Sequence, residues 1–341
     1  MSAPHGGRPL PSGRPLRVAI AGAGMISLYH LIAWSRVDGV ELCAIIDPDA
    51  ERARARAAAF GIARDYRSLD ALLAHEKIDA LDIATPRETH AALVRTAAAH
   101  GIAVLCQKPL AVDLAEAEAL AAEVADRIRL MVHENWRFRP YYRQIAAWLA
   151  EGRFGELASG TISIRSSGIL PDATGRSPAL ERQPMFRTEP RLLIAESLIH
   201  HIDVARWLFG PLRLVAARRR RMSDAVTGET LATLLFETGE GAPLVIDGNY
   251  ACPGFAPSSR DRVELIGSRA SIVMCEDRLS LLGDRAETIG YEHDTAYQES
   301  FDAAIRHFVE CLASGEPFET DVADNLETIR LLEAAYADAA G

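Results

Sequence analysis

The apolar run Val18-Ala19-Ile20-Ala21 leads directly into Gly22-Ala23-Gly24-Met25-Ile26-Ser27, and a helix-like stretch follows. A strand that enters a glycine pair and leaves as a helix is compatible with few folds. The first glycine permits the tight turn. The second lets the main chain approach a pyrophosphate, which sits among the unpaired N–H groups where Met25 and Ile26 open the helix. The third position of the spacing is Ser27, so helix–strand packing there must tolerate a hydroxyl. Asp47 ends the next apolar run, 25 residues past Gly22. A carboxylate there accepts from a ribose 2′-hydroxyl and repels a 2′-phosphate, which favours NAD over NADP. Arg52, in the following helix, is the candidate for greeting a 2′-phosphate, against the plainer reading of a solvated helix face.

The rest of the first third repeats one rhythm. Short apolar segments (Val40–Ile46, Ala80–Thr85, Ile102–Cys106, Arg129–His133) alternate with helical ones, and Asp113 with Glu116 three residues on makes a helix N-terminus. This pattern predicts a parallel sheet covered on both faces. After Phe138 the rhythm changes to longer β-branched runs at 159–166, 212–221, 230–237, 243–250, 262–266 and 270–274, with one strong helix near 193–209. The expected architecture is an α/β Rossmann domain with a doubly wound parallel sheet over 17–137. An α+β domain with a large, mostly antiparallel open sheet follows over 138–341. Residues 1–16 read as a disordered tail with no secretory signal. The last helix, 321–340, is expected to pack back on the first domain.

Composition narrows the partners. The chain has 341 residues and a net charge of −10, so neither nucleic acid nor an anionic membrane is an expected partner. The five cysteines are scattered and form no CxxC pair, which predicts neither a disulfide framework nor a metal site and fits a cytoplasmic protein. No segment is apolar over the roughly 18 residues a membrane span needs.

Three motifs end the later parallel strands, at the sheet edge where such folds bind ligands. They are Thr85-Pro86 with His90, Gln107-Lys108-Pro109-Leu110, and Glu134-Asn135-Trp136-Arg137-Phe138-x-Pro140. A fourth lies in the helix of the second domain, Glu196-x-x-x-His200-His201-x-Asp203. Together with the glycine turn, these resemble the Gfo/Idh/MocA family of glucose–fructose oxidoreductase, inositol dehydrogenase and relatives. The resemblance implies a dehydrogenase acting on CH–OH groups, with NAD(P) in the first domain and a sugar or polyol at the domain boundary. It implies cofactor contacts from Gly22, Gly24, Met25, Ile26, Asp47, Thr85, Pro86, His90, Gln107, Lys108 and Asn135. It matches Lys108 to the family's lysine and His200 to its catalytic histidine. Two departures stand out. The family's glutamate before the lysine is Gln107 here, and its aspartate four residues before the histidine is Glu196.

Residue chemistry points the same way. Oxidising an alcohol needs a base for the hydroxyl proton, and histidine titrates nearest neutrality. Glu196 and His200 lie four apart on one helix, so the carboxylate can orient the imidazole. Lys108 offers a cation to polarise the reacting oxygen; the base role stays open between His200 and Lys108. Trp136 and Arg137 suit a sugar site, by ring stacking and by hydrogen bonds to hydroxyls. Arg165 is a further substrate candidate. His201 reads either as a substrate or subunit contact or as a satisfied structural histidine, Asp203 as structural, and the run Arg218–Arg221 as a solvated or subunit-facing edge. The combination of Glu196-x-x-x-His200-His201 with the upstream Phe186–Arg191 segment resembles the D-apiose dehydrogenase branch, which implies oxidation of an aldose at C1 to a lactone, here D-apiose to apionolactone. The alternatives are an inositol-type dehydrogenase and an NAD-using glycoside hydrolase without net redox. An open sheet face predicts a homodimer or homotetramer.

Overall fold

The computed structural model describes residues 13–338. Among them the chain divides into two compact units, one running to Asn135 and taking in Gln298–Glu327, the other comprising Trp136–Tyr297 and the residues from Thr328 on. The boundary thus falls two residues before the expected one. The segment that joins the first unit, Gln298–Glu327, takes in the first residues of the 321–340 helix expected to return there. Most of the expected tail lies outside the described residues. Its described end is not idle: Arg14 pairs with Asp79 at 2.7 Å, and Leu16 is buried as the first residue of a strand.

The first unit carries β1 (Leu16–Ala21), α1 (Met25–Trp34), β2 (Val40–Ile46), α2 (Ala50–Phe60), β3 (Asp65–Tyr66), α3 (Leu69–Leu73), β4 (Ala80–Ile83), α4 (His90–Ala99), β5 (Ala103–Gln107), α5 (Leu114–Val124) and β6 (Leu130–His133). The six strands form one parallel sheet in the order β3-β2-β1-β4-β5-β6. Strand order reverses between β1 and β4, and the crevice at such a switch point is where doubly wound sheets bind ligands. Gly22 sits there with φ +104°, and a Cβ on it would lie 2.4 Å from the Ala84 carbonyl oxygen. No other residue fits. Asp113 caps α5 by accepting from Glu116 N–H at 2.9 Å, as its spacing predicts.

The second unit opens with α6 (Pro140–Ala150), β7 (Leu157–Arg165) and α7 (Pro178–Arg182). A π turn at Ile194–Leu198 then runs into α8 (Ile199–Phe209). Seven strands follow: β8 (Leu212–Arg220), β9 (Leu231–Thr238), β10 (Pro243–Asn249), β11 (Arg260–Gly267), β12 (Ser271–Cys275), β13 (Arg278–Leu282) and β14 (Glu287–Gly290). The eight-stranded sheet has the order β14-β13-β12-β11-β7-β10-β9-β8 and is antiparallel except between β7 and β10. One face packs a core that includes Ile162, Ile164, Ile199, Ile202, Leu244 and Ile246. Gly248 lets the helical segment close on β10: a Cβ there would meet Leu198 at 2.9 Å. The chain ends in α9 (His293–Ser314) and α10 (Val322–Ala337).

Candidate functional site

In the first unit, helix α1 starts at Gly24 with no side-chain cap, so its first-turn N–H groups have no side chain filling them. A Cβ on Gly24 would point into open space. An uncapped helix start with room before it is what an approaching pyrophosphate needs. Ser27 resolves its own packing question by donating its hydroxyl to the Gly24 carbonyl at 2.8 Å. Asp47 is buried and already accepts from Ala23 N–H at 2.8 Å and Asp49 N–H at 2.9 Å. It therefore braces the glycine turn, and a carboxylate's two oxygens retain further lone pairs for a ribose hydroxyl. Arg52 is exposed and pairs with Asp49 at 3.3 Å, on the first turn of α2.

Thr85 and Pro86 follow β4, and the Thr85 hydroxyl accepts from Thr89 at 2.7 Å. His90 was expected at the cofactor. The structure instead places its buried ring between two loops, with Nδ1 2.9 Å from the Pro109 carbonyl and Nε2 2.9 Å from that of Thr85. Burial pushes its pKa below the ordinary histidine value. A depressed folded-state value means the unfolded chain binds the proton more readily. The His90 contribution is full above the ordinary pKa of about 6.5 and is lost as pH falls through the folded value. Thermal melts across that range are expected to show an acid decline that His90→Gln flattens; an equal decline in the variant would remove His90 as its source.

Gln107 ends β5 and Lys108 follows, half-buried, through a cis bond to Pro109. Asn135, expected near the nicotinamide, donates one amide N–H to the Ser300 hydroxyl of α9 at 2.7 Å. Two buried residues that no motif singled out complete this region. Asp82 in β4 accepts from Trp34 Nε1 at 2.6 Å, and His30 in α1 lies 2.8 Å from it through Nδ1. A charged residue amid the apolar Ala80-Leu81-Asp82-Ile83 was the available signal.

In the second unit, His200 is buried near the start of α8, just after the π turn that contains Glu196. Such turns recur at functional sites because they re-aim side chains without ending the helix. The turn also means the carboxylate and imidazole are not spaced as on a regular α-helix. The Glu229 carboxylate holds the start of the turn, accepting from Leu192 N–H at 3.3 Å and Ile194 N–H at 3.0 Å. Trp136 stacks on the His200 imidazole with centroids 4.0 Å apart and planes 8° from parallel. The Arg139 guanidinium lies 3.8 Å from the centroid of the same indole. Trp136 thus carries both a stacked imidazole and a guanidinium within 4.0 Å of its ring centroid.

Three expected substrate contacts are placed elsewhere. Arg137 is buried and forks onto Asp203 at 2.8 and 2.5 Å. Asp203 also accepts from Thr328 at 3.2 Å, which fits its structural reading. His201 turns inward, with Nδ1 3.1 Å from the Ser197 carbonyl and Nε2 3.0 Å from Asp261. Both ring nitrogens thus have partners within the second unit. Burial alone would raise the Asp261 carboxyl; the charges of His201 and Arg139, with hydrogen bonds from His201 and Tyr141, hold it well below the usual carboxylate range. Arg165 alternates with Ile162 and Ile164 on β7, so it lies on the opposite sheet face from α8, paired with Asp247. Among the described residues there is no cluster of side chains suited to a metal ion.

The comparisons with known proteins agree with this layout. Residues 16–134 match the oxidoreductase family with an NAD-binding Rossmann fold, and residues 142–273 match the GFO/IDH/MocA C-terminal domain. D-apiose dehydrogenase of Paraburkholderia graminis is 35% identical, across 94% of this chain and 87% of that protein. Inositol 2-dehydrogenase of Rhizobium meliloti is 29% identical, across 95% and 97%. A crystal structure of an oxidoreductase from Agrobacterium radiobacter in complex with NAD+, L-tartaric acid and magnesium superposes with a TM-score of 0.88 at 32% identity, covering 96% of both chains. The fold and the glycine turn define an NAD-binding oxidoreductase. The chain belongs to the Gfo/Idh/MocA oxidoreductase family.

Proposed function

We propose that this protein is an NAD-dependent sugar dehydrogenase that oxidises an aldose at C1 to the lactone, with D-apiose as the candidate substrate. The single observation that carries the reading is the likeness to D-apiose dehydrogenase across nearly the whole chain. The residues of the first unit fit the cofactor: the Gly22–Gly24 turn and the N–H groups of Met25 and Ile26 suit a pyrophosphate, and Asp47 suits an unphosphorylated ribose. NAD held there supplies the hydride acceptor. His200 takes the proton of the C1 hydroxyl, its ring plane set by Trp136 and its charged form favoured by the Glu196 carboxylate. The Lys108 ammonium steadies the oxygen as its negative charge develops. In this reading the enzyme works as a homodimer or homotetramer.

Incubation with NAD and a panel of monosaccharides tests the reading through NADH absorbance. NADH with an aldose and lactone as product is the expected result. NADH with inositol alone would move the assignment to a ring-alcohol dehydrogenase, in line with the inositol 2-dehydrogenase relative. Release of an aglycone from a glycoside without NADH would indicate hydrolysis.

A further inference from the structure

Gln107 is held at three points inside the first unit. Its Oε1 accepts from the main-chain N–H of Lys108 at 3.0 Å. Its Nε2 lies 3.0 Å from His30 Nε2 and 3.3 Å from His133 Nδ1. A main-chain N–H can only donate, so the atom facing it is the amide oxygen and the orientation of the amide is fixed. The –NH2 group therefore faces both ring nitrogens, and each must present a lone pair. Asp82 enforces this for His30: its carboxylate, 2.8 Å from Nδ1, keeps the ring hydrogen there and leaves Nε2 as an acceptor. His30 and His133 lie 4.4 Å apart, centroid to centroid, and Phe301 of α9 packs against both, at 5.3 and 5.0 Å.

All of these groups are buried. Parallel strands covered on both faces are otherwise nearly all apolar, and buried polar groups are costly unless mutually satisfied. The cluster spans α1, β4, β5, β6 and α9, and its polar contacts converge on the residue before Lys108. We propose that Asp82, His30 and His133 are positioning residues that lock the Gln107 amide, and through it the main chain of Lys108. The lone pair that Asp82 enforces on His30 makes an amide, rather than a carboxylate, the matching group at 107. The proposal rests on the reading of Lys108 as a group acting at the reacting oxygen.

Gln107→Glu tests it. A carboxylate can still accept from Lys108 N–H, but its other oxygen then faces two lone pairs. The match returns when a ring presents an N–H there, which for His30, whose hydrogen Asp82 holds at Nδ1, means taking up a proton. Asp82 lies against His30 and also acts on the Cys106 thiol, while Lys108 and Glu134 follow Gln107 and His133 in the chain. Of these, the Cys106 thiol is raised well above its ordinary value by burial and by Asp82. The variant is expected to lose about tenfold in kcat at saturating NAD. The ratio of variant to wild-type kcat should rise as pH falls, a trend in which titration of His200, shared by both proteins, cancels. A kcat within about twofold of wild type, or a loss with a flat ratio, would overturn the proposal. If Gln107→Glu does not fold, Asp82→Asn decides, because it removes the bias on the His30 tautomer. A kcat loss of about threefold or more with unchanged KM for NAD supports the lock, and unchanged kcat overturns it. Lys108→Met, measured alongside, separates the two ideas: full activity there removes the role of Lys108, whatever Gln107→Glu does.

Discussion

His200→Ala is expected to lower kcat by at least about 10²-fold, the usual contribution of a positioned general base. KM for NAD should change little, since the cofactor-holding turn belongs to the other unit. The imidazole stacks on Trp136, so its removal also frees that indole. A shift in tryptophan emission should accompany the loss of rate, and His200→Phe should restore the stack without restoring activity. That split separates the proton-accepting role from a packing role. Near-normal turnover in either variant would remove His200 as the base and leave Lys108 as the remaining candidate.

The largest expected effect on stability is at Asp203. Its carboxylate takes the Arg137 fork and the Thr328 hydroxyl in a fully buried setting. Asp203→Leu leaves the guanidinium buried without that carboxylate, and breaking such a pair from one side typically costs about 3–5 kcal/mol. Set against a total stability of about 5–15 kcal/mol, this is a large fraction. Urea unfolding should show it as a lower midpoint. The double variant Arg137→Met with Asp203→Leu should recover part of the loss, because no unpaired charge remains. A double variant worse than Asp203→Leu alone would mean the charges themselves are worth more than their burial costs.

These two residues illustrate what the sequence makes legible. The glycine turn, Asp47 and the alternation of short apolar runs with helices are local signals, and they specify the parallel sheet and its ligand edge. The motif around His200 places a candidate base on a helix. Orientation is a different matter. Arg137, His201 and Arg165 have side chains suited to a sugar, but only the tertiary structure shows them turned toward Asp203, Asp261 and Asp247. Each partner lies far along the chain, beyond the reach of spacing arguments. The return of β12 into β13 is hidden in the sequence for a local reason. Its turn residues Glu276 and Asp277 both adopt positive φ, of 50° and 61°, without the glycine or asparagine that usually announces such a turn. The contact of Arg139 with Trp136 and the lock on Gln107 were invisible as well, since their members are drawn from separate elements.

The most direct measurement is the fate of the C1 hydrogen. D-apiose deuterated at C1, incubated with the protein and NAD, should yield NADH that carries the deuterium on the nicotinamide ring, together with the lactone. NADH formed without the label would place the oxidised carbon elsewhere. Absence of NADH, with NAD bound and the sugar unchanged, would contradict the assignment of the protein as an aldose 1-dehydrogenase for this substrate.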